Sequence, residues 1–567
     1  MPPHNATAAA THGATPVVTA VLQLRDGRIE AARATLRAVL AQDANQPDAL
    51  ILLSGVTLRS GEVETAAELA HRAVRLAPEE PRAHAAMADV LAHRGDALGA
   101  IAAWRQVIAH DPLAAAAHTN LGALLQARRQ YNEAWEACDT ALSLDPNLAP
   151  ARLNRGLAAI GLGRFDDAVA DLRQAVKALP RQAEAWLGLG LALRRAGRHD
   201  EAVTALQRVL KLEPGHVIAL NNLGRAHRAA GRYEAAITAF DRALALQPDH
   251  VDSRWNRAVA KLLAGRLPEA WDDAEARWQL PGLDPHPSYP RPVWQGEALA
   301  GKRLLLVPEQ GLGDAIQFAR YVPLLAGAGA HVLLGTRPEL AGLMASLPGV
   351  GQVLAPGDAL PDFDCYLPLL SLPRVCATGL ESIPAKVPYL VPPPAALRRW
   401  EALIPGGEGL AVGLAWAGNP NHVNDANRSM PIAALAPLRD VPGVRFFSLQ
   451  VGPRAAEAEL WPGLNDLSPQ LADFTETAAA VARLDLVITV DTAVAHLAGA
   501  LARPAWLMLA HEPDWRWLAG RTDSPWYPTA RLFRQARFND WASVAHDVAA
   551  ALATLAADHA AGDALAA

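Results

Sequence analysis

The chain has 567 residues, 51% hydrophobic and 19% charged, with a formal net charge of −6. That excludes a disordered chain, and the acidic balance argues against a general nucleic-acid binder. Three cysteines, Cys138, Cys365 and Cys376, without C-x-x-C spacing, argue against a disulfide framework or a thiolate zinc site. No leader pattern and no apolar run of ~18 residues is seen. A cytoplasmic, soluble protein without a transmembrane segment is expected.

From the start of the chain, small residues and prolines recur with a fixed period. Pro78, Pro112, Pro146, Pro180, Pro214 and Pro248 are evenly spaced at 34 residues. Ala32, Ala66, Ala100, Ala134, Ala168, Ala202, Ala236 and Ala270 share that period. So do Gly27, Gly61, Gly95, Gly163, Gly197, Gly231 and Gly265, and a second register runs Gly122, Gly156, Gly190, Gly224. Paired antiparallel helices explain the pattern: small residues allow close approach, glycine turns the chain, and proline ends the second helix. The pattern resembles the tetratricopeptide repeat. About eight units fill 13–284, with atypical first and last units as expected of caps. Asn120, Asn154, Asn222 and Asn256 occupy one slot on the first helix of their units. Two readings stand: an amide ladder that holds an extended peptide backbone, or amides that satisfy neighbouring carbonyls within the array. Similar ladders occur in the repeats of protein O-GlcNAc transferases.

The Pro-rich stretch 281–292 marks a boundary, and beyond it the period changes. Strands are predicted at 303–307 and 331–336, with helices at 315–327 and 338–346. After Pro392-Pro393-Pro394 and Gly406-Gly407 a second set follows. Its strands are predicted at 410–416, 444–450, 484–490 and 505–510, its helices at 431–438, 474–482 and 493–501, with a terminal helix over 540–556. Strands alternating with helices predict parallel α/β sheets. The expected layout is an α-solenoid over 13–284, then two Rossmann-like domains at 285–395 and 405–556.

Three segments carry chemistry. Glu309-Gln310-Gly311-Leu312-Gly313-Asp314 follows the first strand, where glycines permit a sharp turn and the next helix start favours an anion. Gln310, Gly311, Gly313 and Gln317 are candidates for an active-site loop. Asp314 is either a functional carboxylate or a helix cap. Asp491-Thr492-Ala493-Val494-Ala495-His496 ends a buried strand and opens a small-residue helix whose free amides suit a diphosphate. Capping and packing are the other readings. Trp416 to Ser429 is a polar loop whose Arg428 can pair with a phosphate or lie exposed. Asp362-Phe363-Asp364 is a D-x-D, but beside a strand of the first α/β domain no metal site is expected there.

The glycine turn ending in Asp314, the Asp491-Thr492…His496-Leu497-Ala498 segment and the Ala500-Leu501…Pro504 that follows resemble the heptosyltransferase family, glycosyltransferase family nine. With the repeats, Pro368-Leu369…Pro373 and Asp514-Trp515-Arg516-Trp517, the chain resembles bacterial tetratricopeptide-repeat proteins fused to such a glycosyltransferase domain. The resemblance implies a GT-B fold and transfer of a sugar from a nucleotide-sugar donor to an acceptor hydroxyl, inverting and metal-independent, with no cofactor. It implies that Asp314 is the general base and that Asp491, Thr492 and His496 face the donor diphosphate. Arg428 would stand where the family has a basic phosphate-pairing residue, and Trp515 and Trp517 would cover the nucleotide. The repeats would recruit a protein acceptor or peptide partner. The competing expectation is a non-enzymatic repeat scaffold with a degenerate transferase domain.

Overall fold

The computed structural model describes residues 15–282, 285–422 and 424–566. The two ends of the array expected over 13–284 therefore lie partly outside the described residues. The chain forms two compact units, divided between Pro214 and Gly215.

Among the described residues the first unit is twelve helices, from Pro16–Arg25 to His199–Leu212. The periodic alanines explain its packing: Ala32, Ala66, Ala100, Ala134, Ala168 and Ala202 are all fully buried. The second glycine register marks helix–helix contact. A Cβ on Gly122 would fall 2.3 Å from Cys138 Sγ, and one on Gly156 would fall 2.7 Å from Leu172 Cγ. No larger residue fits there. The first glycine register is conformational instead: Gly163 has φ +74° at the turn between paired helices. Arg129 fills that slot in the one unit lacking glycine and adopts φ 62° regardless. Asn120 is exposed, and half-buried Asn154 donates from Nδ2 to the Thr119 carbonyl at 3.5 Å.

The second unit, from Gly215, begins with four more helices of the same kind, Val217–Ala229 to Leu267–Ala274. Two parallel sheets follow. The first contains β1 (Arg303–Val307), β2 (His331–Gly335), β3 (Val350–Leu354) and β4 (Cys365–Pro368), in the order β3-β2-β1-β4. The second contains β5 (Leu410–Ala415), β6 (Val444–Ser448), β7 (Asn465–Asp466), β8 (Leu486–Val490), β9 (Ala505–Leu509) and β10 (Ala530–Arg534), in the order β10-β9-β8-β5-β6-β7. Every strand pair in both sheets is parallel. β3, β4, β7 and β10 are additions to the strands predicted from sequence. The helix predicted over 315–327 is two, Leu312–Ala319 and Val322–Gly327, with Pro323 near the start of the second. The terminal helix runs Trp541–Ala566. Among the described residues no helix is long and apolar enough to cross a membrane.

The repeat array and the sheets do not separate at the Pro-rich stretch. Trp271 donates its indole N–H to the Thr378 carbonyl at 2.7 Å and meets Trp515 edge-on at 5.8 Å. The Ala519 amide donates to the Leu263 carbonyl at 2.9 Å. Arg277 grips Glu309 with two hydrogen bonds, 2.9 and 3.0 Å, and both side chains are buried. The last repeat thus shares one hydrophobic core with the α/β part. Packing divides the chain at 214/215, and the proline run interrupts helix formation but not burial.

Candidate functional site

In each sheet the strand order reverses beside one strand. β1 lies between β2 and β4, and β5 lies between β6 and β8. Parallel α/β sheets bind ligands outside the carboxyl ends of strands at such reversals. The three chemistry-bearing segments follow β1, β5 and β8, so topology gathers all of them at switch-point ends.

The β1 loop enters helix Leu312–Ala319 with Gln310 in the left-handed region, φ 58°, its carbonyl accepting from Arg337 at 2.7 Å. Asp314 sits one turn into the helix, and its Oδ2 accepts from the Gly311 amide at 2.8 Å. It therefore caps the helix start. Its Oδ1 accepts from the guanidinium of Arg516, a residue delivered from beyond β9 of the other sheet. Gly313 is a point of close approach, but to protein: a Cβ there would lie 2.8 Å from His496 Cδ2 and 3.4 Å from the Ala493 Cα. Gln317 is wholly buried with neither amide atom hydrogen-bonded.

Thr492 is the N-cap of helix Ala493–Ala500, yet its hydroxyl faces Thr489 Oγ1 at 3.1 Å and not the helix amides. Asp491, just before it, is half-buried. Burial and then the nearby Asp514 carboxylate raise its carboxyl to about 6, against the pull of Trp517, Arg428 and Arg516. His496 is 5% exposed, stacks on Trp517 at 5.2 Å and places Nδ1 3.0 Å from the Tyr527 hydroxyl. Burial, then the charge of Arg516, pushes it down to about 3. The imidazole is neutral at physiological pH and packs as an uncharged ring.

Arg428 ends the short helix Asp425–Arg428 in the β5 loop, mostly buried, with Asp425 Oδ1 at 3.4 Å. Its charge is felt at Asp491, His496 and His422. His422, in the same loop, is held below its ordinary value by burial and by Arg428, while Asp514 and Asp314 pull the other way. One cluster therefore joins Asp314, His422, Arg428, Asp491, His496, Asp514 and Arg516.

Trp515 and Trp517 are 7% and 0% exposed and pack into the core, the first beside Phe318 and Trp526. Covering a ligand face is not open to a ring so enclosed. Asn222 and Asn256 are likewise buried. Asn222 donates to its own helix at Ile218 (2.8 Å), and Asn256 bonds Asn221 Oδ1 and Arg228 at 3.2 and 3.1 Å. For these two the amides serve the array; of the four-residue ladder, Asn120 alone is exposed. Asp364 Oδ2 accepts from the Arg303 amide at 2.7 Å, which ties the D-x-D to the strand beside it. Among the described residues no cluster has metal-ligand geometry.

Sequence reasoning singled out Asp314, Arg428, Asp491, Thr492 and His496, and the structure gathers them. It missed Arg516, Asp514 and His422, although all three lie in segments already marked. The signal available for Arg516 was a cation between two tryptophans.

The neutral state of His496 has a measurable consequence. Its depressed value leaves its contribution intact above about 6.5, the ordinary value, and removes it as pH falls toward about 3. Asp491 works oppositely: its raised value favours the fold at low pH and is lost as pH rises through about 6. His496→Gln is expected to flatten the fall of melting temperature below pH 6.5, and Asp491→Asn to raise melting above pH 6. Melting curves across pH 4–8 check both, and parallel curves for His496→Gln and the parent would contradict the neutral imidazole.

A tetratricopeptide-repeat model matches residues 85–149 and 153–217, and another matches 23–90 and 193–262. The protein FlbA of Caulobacter vibrioides is 32% identical over 328 residues, 52% of this chain and 54% of that protein. The chain thus spans about half the length of that curated relative. Among solved structures, YrrB, described as a TPR protein with an unusual peptide-binding site, is 24% identical with a TM-score of 0.29. It covers 32% of this chain and 95% of its own. MamA is 27% identical with a TM-score of 0.27, over 29% of this chain and 95% of its own. Residues 23–262, matched by repeat models and folded as paired helices of one period, are tetratricopeptide repeats, a module of protein–protein interaction.

Proposed function

We propose that the chain is a glycosyltransferase of GT-B type that moves a sugar from a nucleotide-sugar to an acceptor hydroxyl, with inversion and without a metal. The observation that carries this reading is the convergence of Asp314, Arg428, Asp491, Thr492 and His496 at switch-point ends of two parallel sheets. The acceptor oxygen attacks the anomeric carbon as its proton passes to Asp314. The bond from that carbon to the diphosphate breaks, and the nucleoside diphosphate leaves with the electron pair. Arg428 and the free amides of Ala493 and Val494 stabilise the departing charge. In this reading the Thr492 hydroxyl, not spent on capping the helix, hydrogen-bonds a phosphate oxygen, and neutral His496 packs nearby against Tyr527. The repeats bring a protein acceptor or partner.

The second reading is a peptide-binding scaffold with an inactive α/β part. The engagement of Asp314 by both Gly311 and Arg516 favours it, because a carboxylate so occupied can be purely structural. A panel of UDP-, GDP-, ADP- and dTDP-hexoses, read by release of nucleoside diphosphate with water or added protein as acceptor, separates the two. Release from one member supports transfer; none from any supports the scaffold. Arg428→Ala is expected to weaken binding of the matching nucleoside diphosphate by about 1.5–3 kcal/mol, the loss of a charge-assisted contact. Calorimetry reads this directly, and unchanged affinity moves the donor site elsewhere.

A further inference from the structure

Arg516 is 8% exposed and lies under Trp515, its guanidinium carbon 4.4 Å from the ring centre. Its own neighbourhood already anchors it. Nη1 donates to Asp514 Oδ1 at 2.8 Å, and the Arg516 amide donates to the same oxygen at 3.0 Å. With the fork fixed by a residue two positions away, the other arm, Nη2, is presented in one direction. It meets Asp314 Oδ1 on the helix after β1. Asp314 is therefore held at both oxygens: Oδ2 by the Gly311 amide of its own loop, Oδ1 by a cation from the other sheet. Without the second contact the carboxylate turns freely about its remaining bond.

We propose that Arg516 is the positioning residue for Asp314, fixing the rotation of the carboxylate so that its unused lone pairs face the incoming hydroxyl. This rests on the reading of Asp314 as general base. Arg516 contributes no atom to the bonds that form or break; it acts through Asp314. Proton abstraction requires the base within hydrogen-bond reach, and misplacement by about 1 Å costs roughly 10²-fold. A planar guanidinium holds two carboxylates in fixed directions, which an ammonium does not. The base on one sheet is thereby completed by a residue from the other.

The test is a double-mutant cycle in the full chain, with the hexose nucleotide that the panel identifies as donor. R516Q is expected to lower kcat about 10–100-fold and leave the donor KM within about twofold. R516K, which keeps charge but not the fork, regains part of the loss. In a D314N background R516Q costs less than about twofold, because no base remains to be positioned. R516K carries the same comparisons should R516Q unfold. A raised donor KM with unchanged kcat makes Arg516 a donor ligand and overturns the proposal. So does a full, additive loss on top of D314N, or an unchanged kcat. A D314N protein with parental turnover instead removes the general-base reading itself, and this inference with it.

Discussion

Asp314→Asn is expected to lower turnover by about 10²–10⁴, the usual share of general-base catalysis. The amide oxygen can still accept from the Gly311 amide, so the helix start keeps its cap. Arg516 keeps Asp514 as counter-ion, so its charge is not stranded. Nucleoside diphosphate affinity is therefore expected to hold, and melting to stay within a few degrees of the parent. A purely structural Asp314 gives the reverse: near-parental turnover, with Asp314→Ala costing about 0.5–2 kcal/mol as a lost cap. Rate, affinity and melting on both variants separate these patterns.

Arg277→Ala is expected to be the most damaging single change away from the cluster. Glu309 is buried beside it and also accepts the Leu370 amide at 2.8 Å. Removing the guanidinium leaves a carboxylate in the core with no cation, a loss of about 3–5 kcal/mol. Replacing both partners at once, Arg277→Met with Glu309→Met, is expected to recover most of it, since no charge is left stranded. Denaturant unfolding followed by tryptophan fluorescence measures the pair; an Arg277→Ala protein as stable as its parent refutes the account. A chain cut to begin at residue 287 loses Arg277 together with Trp271, so it is expected to aggregate, whatever the Pro-rich stretch suggests.

The repeats were legible because every unit makes the same local demands. Small residues, turn and stop recur, and even Arg129, which breaks the glycine register, takes the turn because neighbouring hydrogen bonds impose it: its amide donates to Gln126 at 2.9 Å. The buried strands β1, β5, β8 and β9 were legible as apolar runs. β3 and β10 were not: β3 exposes Gly351 and Gln352 at a sheet edge, and β10 is only the pair Leu532-Phe533 between Arg531 and Arg534. Neither reads as a core strand until its neighbour is known. The same holds at the site. Asp314 and Asp491 announce themselves by sitting where a strand gives way to a turn, and Arg428 by lying in the polar loop after β5. Arg516 acquires its meaning only by meeting a carboxylate 202 residues earlier, which no local pattern records. The burial of His496 by Trp517 and Tyr527 is long-range in the same way.

The fusion of the last repeat to the sheets makes the array extensible at one end only. Upstream of Gly215 each helix pair rests on its neighbours, so whole 34-residue units can be gained or lost there as beads on a string. Downstream, the pair at Val251–Ala274 is no longer a bead: Trp271 and, just beyond it, Arg277 are bolts of the adjoining domain. Copying a unit upstream lengthens the array without touching the sheets, while the same copying at its carboxyl end pulls Trp271 and Arg277 out of the core they complete.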